Sequence, residues 1–234
     1  MIKFFRKIRQ KLVSENKFSK YLIYAIGEII LVVIGILIAL QINNWNEQKK
    51  LNKEYISDLK SIKENLEKDA SNINTNLKNG NRIVQEFQEL LNAGSFIVDG
   101  SSILMKLSQP TLLLDESGYN NAKRKNTLNL IQNDSLKSMF HQYYVRRYGN
   151  VEKATNSLEK LATKLKGNYL EFGNQNGSIP KKEIMSSLMQ QGPFIDYLNM
   201  YNNEREKTLE QLMNIKNVNK KLIETIDAEL EQIE

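Results

Sequence analysis

The sequence predicts an all-α protein in which one amino-terminal transmembrane helix continues into an elongated antiparallel extracytoplasmic helical bundle. Three observations carry this expectation. Residues 21–42 form a nearly unbroken apolar run. An eleven-residue hydrophobic repeat follows, with no proline between Trp45 and Gln109. Two later stripes, one from about Asp134 and one after Pro193, advance in the three- and four-residue steps of a helix face. No segment has the strict alternation of a half-buried strand.

The apolar run reads YLIYAIGEIILVVIGILIALQI and contains one ionisable side chain, Glu28. At 1.5 Å per residue it is about 33 Å long, enough for a hydrocarbon core of about 30 Å. Tyr21 and Tyr24 at one end and Trp45 at the other are expected to act as interfacial anchors. The run is longer than the roughly 7–15 residues of a signal-peptide core. No small-x-small cleavage pattern follows Leu40, so an uncleaved signal anchor is expected.

Charge sets the orientation. The 234 residues include 33 Lys or Arg and 27 Asp or Glu, a net charge of +6. The whole excess lies in residues 1–20, where Lys3, Arg6, Lys7, Arg9, Lys11, Lys17 and Lys20 face a single acid, Glu15. The positive-inside rule then predicts a cytoplasmic amino terminus and an external region over residues 43–234. Within the basic segment, Ile2, Phe4, Phe5, Ile8, Leu12 and Val13 interleave with the cations at near-helical spacing. That pattern fits a short helix on an anionic inner leaflet. Nucleic acid is not expected as a partner, because these charges adjoin a span and carry no recognition motif.

The external region reads as helices. Leu51, Ile62, Ile73 and Val84 recur every eleven residues, and Tyr55, Leu59, Leu66, Ala70 and Leu77 fill the same face. This repeat is about 3.67 residues per turn and favours a straight or weakly right-handed coiled coil. The first long helix is expected over about 45–92, with Asn79-Gly80-Asn81 as its weak point and Gly94 as a C-cap. Residues 94–133 are irregular, with short helices near 102–107 and 118–132. Asp134 is the expected cap of a second long helix reaching about Phe172, with Leu136, Phe140, Tyr143, Arg147, Val151, Ala154, Leu158, Leu161, Leu165 and Tyr169 on its inner face. A short helix from Lys181 precedes a third long helix over about 194–233, striped by Leu198, Leu209, Leu212, Ile215, Leu222, Ile226, Leu230 and Ile233. Three stripes of similar length argue for a bundle.

The stretch FFRKIRQKLVSENKFSKYLIYAIGEIILVVIGILIALQINNWNE (residues 4–47) closely resembles the amino-terminal signature of a bacterial family of single-span membrane proteins of unknown function. The shared elements are the FFRKIR start, the KYLIYAIGEI entry and the GILIALQINNWNE exit. A looser similarity covers residues 116–144, where Asn120 to Asn126 departs from a turn seen in relatives. The resemblance implies a bacterial inner membrane, a single pass and a helical periplasmic region. It implies no activity.

Composition narrows the function classes. With no Cys, the chain has neither a disulfide framework nor a thiolate site, and with one His it lacks a His-rich metal constellation. No cofactor and no enzymatic activity are expected. Glu28 is costly inside a bilayer unless it is paired, hydrated or neutral. It shares a helical stripe with Tyr24, Leu31, Gly35 and Ala39. Gly35-xxx-Ala39 is a small-xxx-small pair that lets a second helix approach closely. This face is the expected site of homo-oligomerisation or of a membrane partner subunit. His141, Arg146 and Arg147, among Tyr143, Tyr144 and Tyr148, are the candidate small-anion ligands. The function expected is a non-enzymatic scaffold or accessory subunit of a cell-envelope complex. The alternatives are a ligand-sensing periplasmic bundle and a proton- or ion-coupled oligomer using Glu28.

Overall fold

The computed structural model describes residues 18–93, 107, 114–176 and 181–233. These residues are helical apart from turns. In chain order they form α1 (Phe18–Ala93), α2 (Ser117–Arg124), a 3₁₀ turn (Thr127–Leu130), α3 (Asp134–His141), a π turn (Gln142–Arg147), α4 (Tyr148–Gln175), α5 (Lys181–Leu188) and α6 (Gly192–Ile233). The all-α class is as the sequence predicts. The basic amphipathic segment, the Gly94 cap and the side chains of Tyr21 and Tyr24 lie outside the described residues. So does the short helix near 102–107, except for Leu107, which is helical and buried.

The chain divides into two units, Met1–Glu54 and Tyr55–Glu234, and α1 contributes to both. In the first unit the apolar run is a helix with its side chains exposed: Leu22, Ile26, Ile29, Leu31, Ile34, Leu37 and Ile42 are all half or more exposed, apart from Leu22 at 49%. The helix is long and apolar enough to cross a membrane by length and composition.

In the second unit, burial follows the eleven-residue repeat from Tyr55 onward. Leu59, Ile62, Leu66 and Ile73 are fully buried and Leu77 and Val84 nearly so, while Leu51 stays exposed. Gly80 does not end α1, which runs for 76 residues. A Cβ on Gly80 would collide with Cδ2 of Leu209, so the glycine serves the close approach of α6. Its helix-propensity cost of about 1 kcal/mol is met by that packing.

Two hydrophobic clusters give the helix directions. The first joins Tyr55–Leu77 of α1 with Leu136–Val151 and with Leu212–Leu230 of α6. The second joins Ile83 and Phe87 with Ala162–Tyr169 of α4, with α5, and with Phe194–Tyr201 of α6. Thus α6 is antiparallel to both α1 and α4, whereas α3–α4 runs parallel to α1. The reason is local. The 114–131 segment lies back along α1, so that the chain re-enters the bundle at Asn133 beside Glu229 and not at the far end.

Helix boundaries differ from expectation at two places. Asn133, not Asp134, caps α3; its side chain accepts hydrogen bonds from the backbone N–H groups of Ser135 and Leu136. Asp134 sits in the first turn instead, where a carboxylate favours the positive end of the helix dipole. The third long helix starts at Gly192, two residues earlier, with Pro193 in its first turn, where the missing N–H costs nothing.

Candidate functional site

Asp58, Asn65 and Asp69 are spaced by seven and four residues, so they lie on one face of α1. All three are buried, Asp69 completely. They meet the strap of residues 114–131, the π turn and α6 in one continuous polar seam. At one end, Asp58 accepts from Lys125 Nζ and from the Thr127 hydroxyl, each at 2.7 Å. In the middle, Asn65 donates through Nδ2 to Asp115 at 2.5 Å and accepts from the Gly118 N–H at 2.9 Å. At the other end, Asp69 accepts from the Asp115 N–H and from the Tyr143 hydroxyl, both at 2.9 Å. Asn219 of α6 closes the seam by donating to the Leu66 carbonyl at 2.9 Å and to the Tyr143 oxygen at 3.2 Å.

The strap's sequence suits this docking. Gly118 is buried, and a Cβ there would stand 2.5 Å from Asn65 Oδ1 and 3.1 Å from the Ile62 nitrogen. Only glycine lets α2 come this close. Asn126 takes the left-handed conformation (φ 60°) between α2 and the 3₁₀ turn. Asparagine accepts that conformation more readily than most residues.

The π turn shapes the other wall. A π turn widens the helix locally and inserts a residue relative to the regular repeat. The consecutive residues Tyr143 and Tyr144 within it are both buried. Tyr143 points its hydroxyl at Asp69, while the Tyr144 ring stacks on Tyr119 of the strap at 4.1 Å and 10°. Phe140 adds a tilted contact to Tyr119 at 5.8 Å.

Electrostatics follow from burial. Burial pushes the Asp69 carboxyl above its ordinary range; the Asp115 N–H and Tyr143 hydroxyl oppose this, and the nearby Asp115 and Glu116 charges add to it. The Asp115 carboxyl is held below its ordinary range by the Ser117 hydroxyl and N–H. Burial, assisted by Asp69, raises the Tyr143 and Tyr144 hydroxyls, so both stay neutral through the physiological range. A second buried pair, Tyr55 and Glu229, joins α1 to α6 at 3.0 Å. Chemically, the seam is a set of hydrogen bonds that close on one another between helices. Among the described residues, no group of three His, Cys, Asp or Glu is placed to hold a metal.

The residues singled out from the sequence are distributed as follows. His141 and Arg146 are exposed, and Arg147 is half-buried with its Nε lacking a hydrogen-bond partner. Phe140 and Tyr143 beside them are core. Glu28, Gly35 and Ala39 are exposed, and a Cβ on Gly35 would meet nothing within 4 Å. Trp45 is 63% exposed, with Lys49 Nζ 5.2 Å from its ring centre and Asn43 donating to Glu47 nearby.

Sequence reasoning missed Asp58, Asn65, Asp69, Asp115 and Asn219. Their spacing does not single them out: Asp58 and Asp69 are eleven residues apart, but so are Lys53, Glu64 and Thr75, which are exposed.

An all-helical chain with a long apolar helix at one end is the class that the fold defines. Over residues 28–107 the sequence is similar to a family of unknown function (DUF6090), a match that takes in the apolar run from Glu28 and the α1 side of the seam. No curated protein and no solved structure matches the chain.

Proposed function

We propose that the protein is a single-pass, membrane-anchored scaffold or accessory subunit of a cell-envelope complex, with its amino terminus cytoplasmic and its bundle outside. The anchor is supported by the exposed apolar face from Leu22 to Ile42, which would be costly in water. The basic flank over residues 1–20 supports the orientation. The structural role rests on one observation: the buried polar side chains of the seam bond to other segments of the same chain, which is how polar groups fix a fold. Assembly would use the stripe of Glu28, Gly35 and Ala39, where the small residues let a neighbouring helix approach closely.

In-membrane photocrosslinking from Leu31 in the full chain tests this reading. The expected result is a discrete crosslinked species, either a homo-oligomer or one partner subunit. It should persist in Glu28→Gln, which keeps hydrogen bonding, and weaken in Glu28→Leu and Gly35→Leu. Monomer alone, or crosslinks to lipid only, would overturn it. If Glu28→Gln left the assembly intact and abolished a proton-dependent activity, the ion-coupled reading would replace the scaffold.

A further inference from the structure

We propose that Arg205 and Asn202 of α6 form an internal binding site for a small carboxylate that carries a neighbouring hydroxyl or ammonium group. The two residues are one helical turn apart and so share a face of α6. Both are more than nine-tenths buried, Arg205 at 7% exposure and Asn202 at 5%. Among the described residues, the Arg205 guanidinium makes one hydrogen bond, from Nη2 to the Tyr201 hydroxyl, and it lies 5.2 Å from the centre of the same ring. Its Nε donates to none of them, and the Asn202 Oδ1 accepts from none. One helix face therefore presents a buried cationic donor and a buried neutral acceptor, both open.

The charge balance calls for an anion. A guanidinium keeps its charge inside a protein, so its burial is not relieved by losing a proton. A buried charge needs an opposite charge or a full set of hydrogen bonds. Tyr201 supplies only a neutral oxygen and a ring face. The Phe87–Tyr201 ring contact and the Gln88–Glu206 hydrogen bond set this part of α6 beside residues 87–88 of α1. The acids at that level have other partners: Glu86 pairs with Arg82 at 2.7 Å, Glu206 accepts from Gln88 at 3.0 Å, and Glu204 pairs with Lys207 at 3.4 Å. From α4, Lys164 places a second cation 4.1 Å from the Tyr197 ring, one turn before Tyr201.

The two open groups select the ligand. Nε matches a carboxylate, which a guanidinium binds in its own plane through charge-assisted hydrogen bonds. The Asn202 Oδ1 repels a bare anion and requires a donor, which a hydroxyl or ammonium beside the carboxylate provides. The site is separate from His141, Arg146 and Arg147, and it does not depend on the anchor or its assembly.

Thermal unfolding of the full chain in detergent micelles tests the site, with glycolate, glycine, acetate or chloride added at constant ionic strength. Glycolate or glycine should raise the midpoint in proportion to the logarithm of its concentration, as a bound ligand does. The stronger of the two identifies the donor as hydroxyl or ammonium, and it should bind about two- to tenfold more tightly than acetate, the worth of one further hydrogen bond. Chloride should give no such rise. Arg205→Met should abolish the response. Asn202→Leu should keep the acetate response and lose the preference over acetate, and it decides the matter if Arg205→Met does not fold. The site would be overturned by the absence of a logarithmic rise with glycolate and glycine alike. An equal rise in Arg205→Met, or an unchanged preference in Asn202→Leu, would overturn it too.

Discussion

The hydroxyl of Tyr143 donates to the carboxylate of Asp69 at 2.9 Å across 74 residues of sequence, and both side chains are completely buried. This bond ties the π turn to α1, and Asn219 ties the same hydroxyl to α6. One oxygen therefore connects all three long helices. Tyr143→Phe keeps the ring packing but leaves one Asp69 oxygen and the Asn219 amide short of a partner. It should lower the unfolding free energy by about 1–3 kcal/mol in urea titrations of the full chain.

Gly118 and Gly167 should respond to alanine with opposite signs. At Gly118 the new methyl meets Asn65 and the Ile62 backbone, so Gly118→Ala should destabilise by about 1–3 kcal/mol. At Gly167, inside α4, a Cβ meets nothing within 4 Å. Gly167→Ala should stabilise by about 0.5–1 kcal/mol through helix propensity alone. Thermal unfolding of both variants under one condition checks the pair.

Capping of α3 provides a separate test of the chain's return. Asn133→Ala removes an acceptor for two backbone N–H groups and should cost about 1 kcal/mol. Asp134→Ala removes a charge near the helix start and its exposed ion pair with Lys137, and should cost about 0.3–1 kcal/mol, falling with added salt. Equal costs for the two, independent of salt, would contradict the assigned cap.

Core truncation should report which face of α1 is buried. Ile62→Ala is expected to cost about 2–5 kcal/mol, since Ile62 is fully buried. Leu51→Ala belongs to the same eleven-residue repeat but lies on an exposed stretch, and should change stability by less than about 0.5 kcal/mol.

The long helices were legible because one-sided burial leaves a periodic apolar trace, as at Ile62, Ile73 and Val84. The parallel course of α3–α4 was not legible. It depends on where the 114–131 strap docks, and that is decided by polar contacts to Asp58, Asn65 and Asp69. An inward carboxylate looks in sequence like an outward one, so these residues read as surface. Gly80, the expected weak point, lies inside the continuous helix with its Cα side against the Leu209 side chain. The π turn left no trace, because adjacent buried residues such as Tyr143 and Tyr144 also occur within regular helix, as at Ile83 and Val84 of α1.

Membrane anchoring with an external bundle is tested most directly by a paired reporter fused after Glu234, combined with alkaline carbonate extraction. The account predicts that the chain stays in the membrane pellet and that a reporter active only outside the cytoplasm is on. Release of the chain by carbonate, or activity only of a reporter that works inside the cytoplasm, would contradict it.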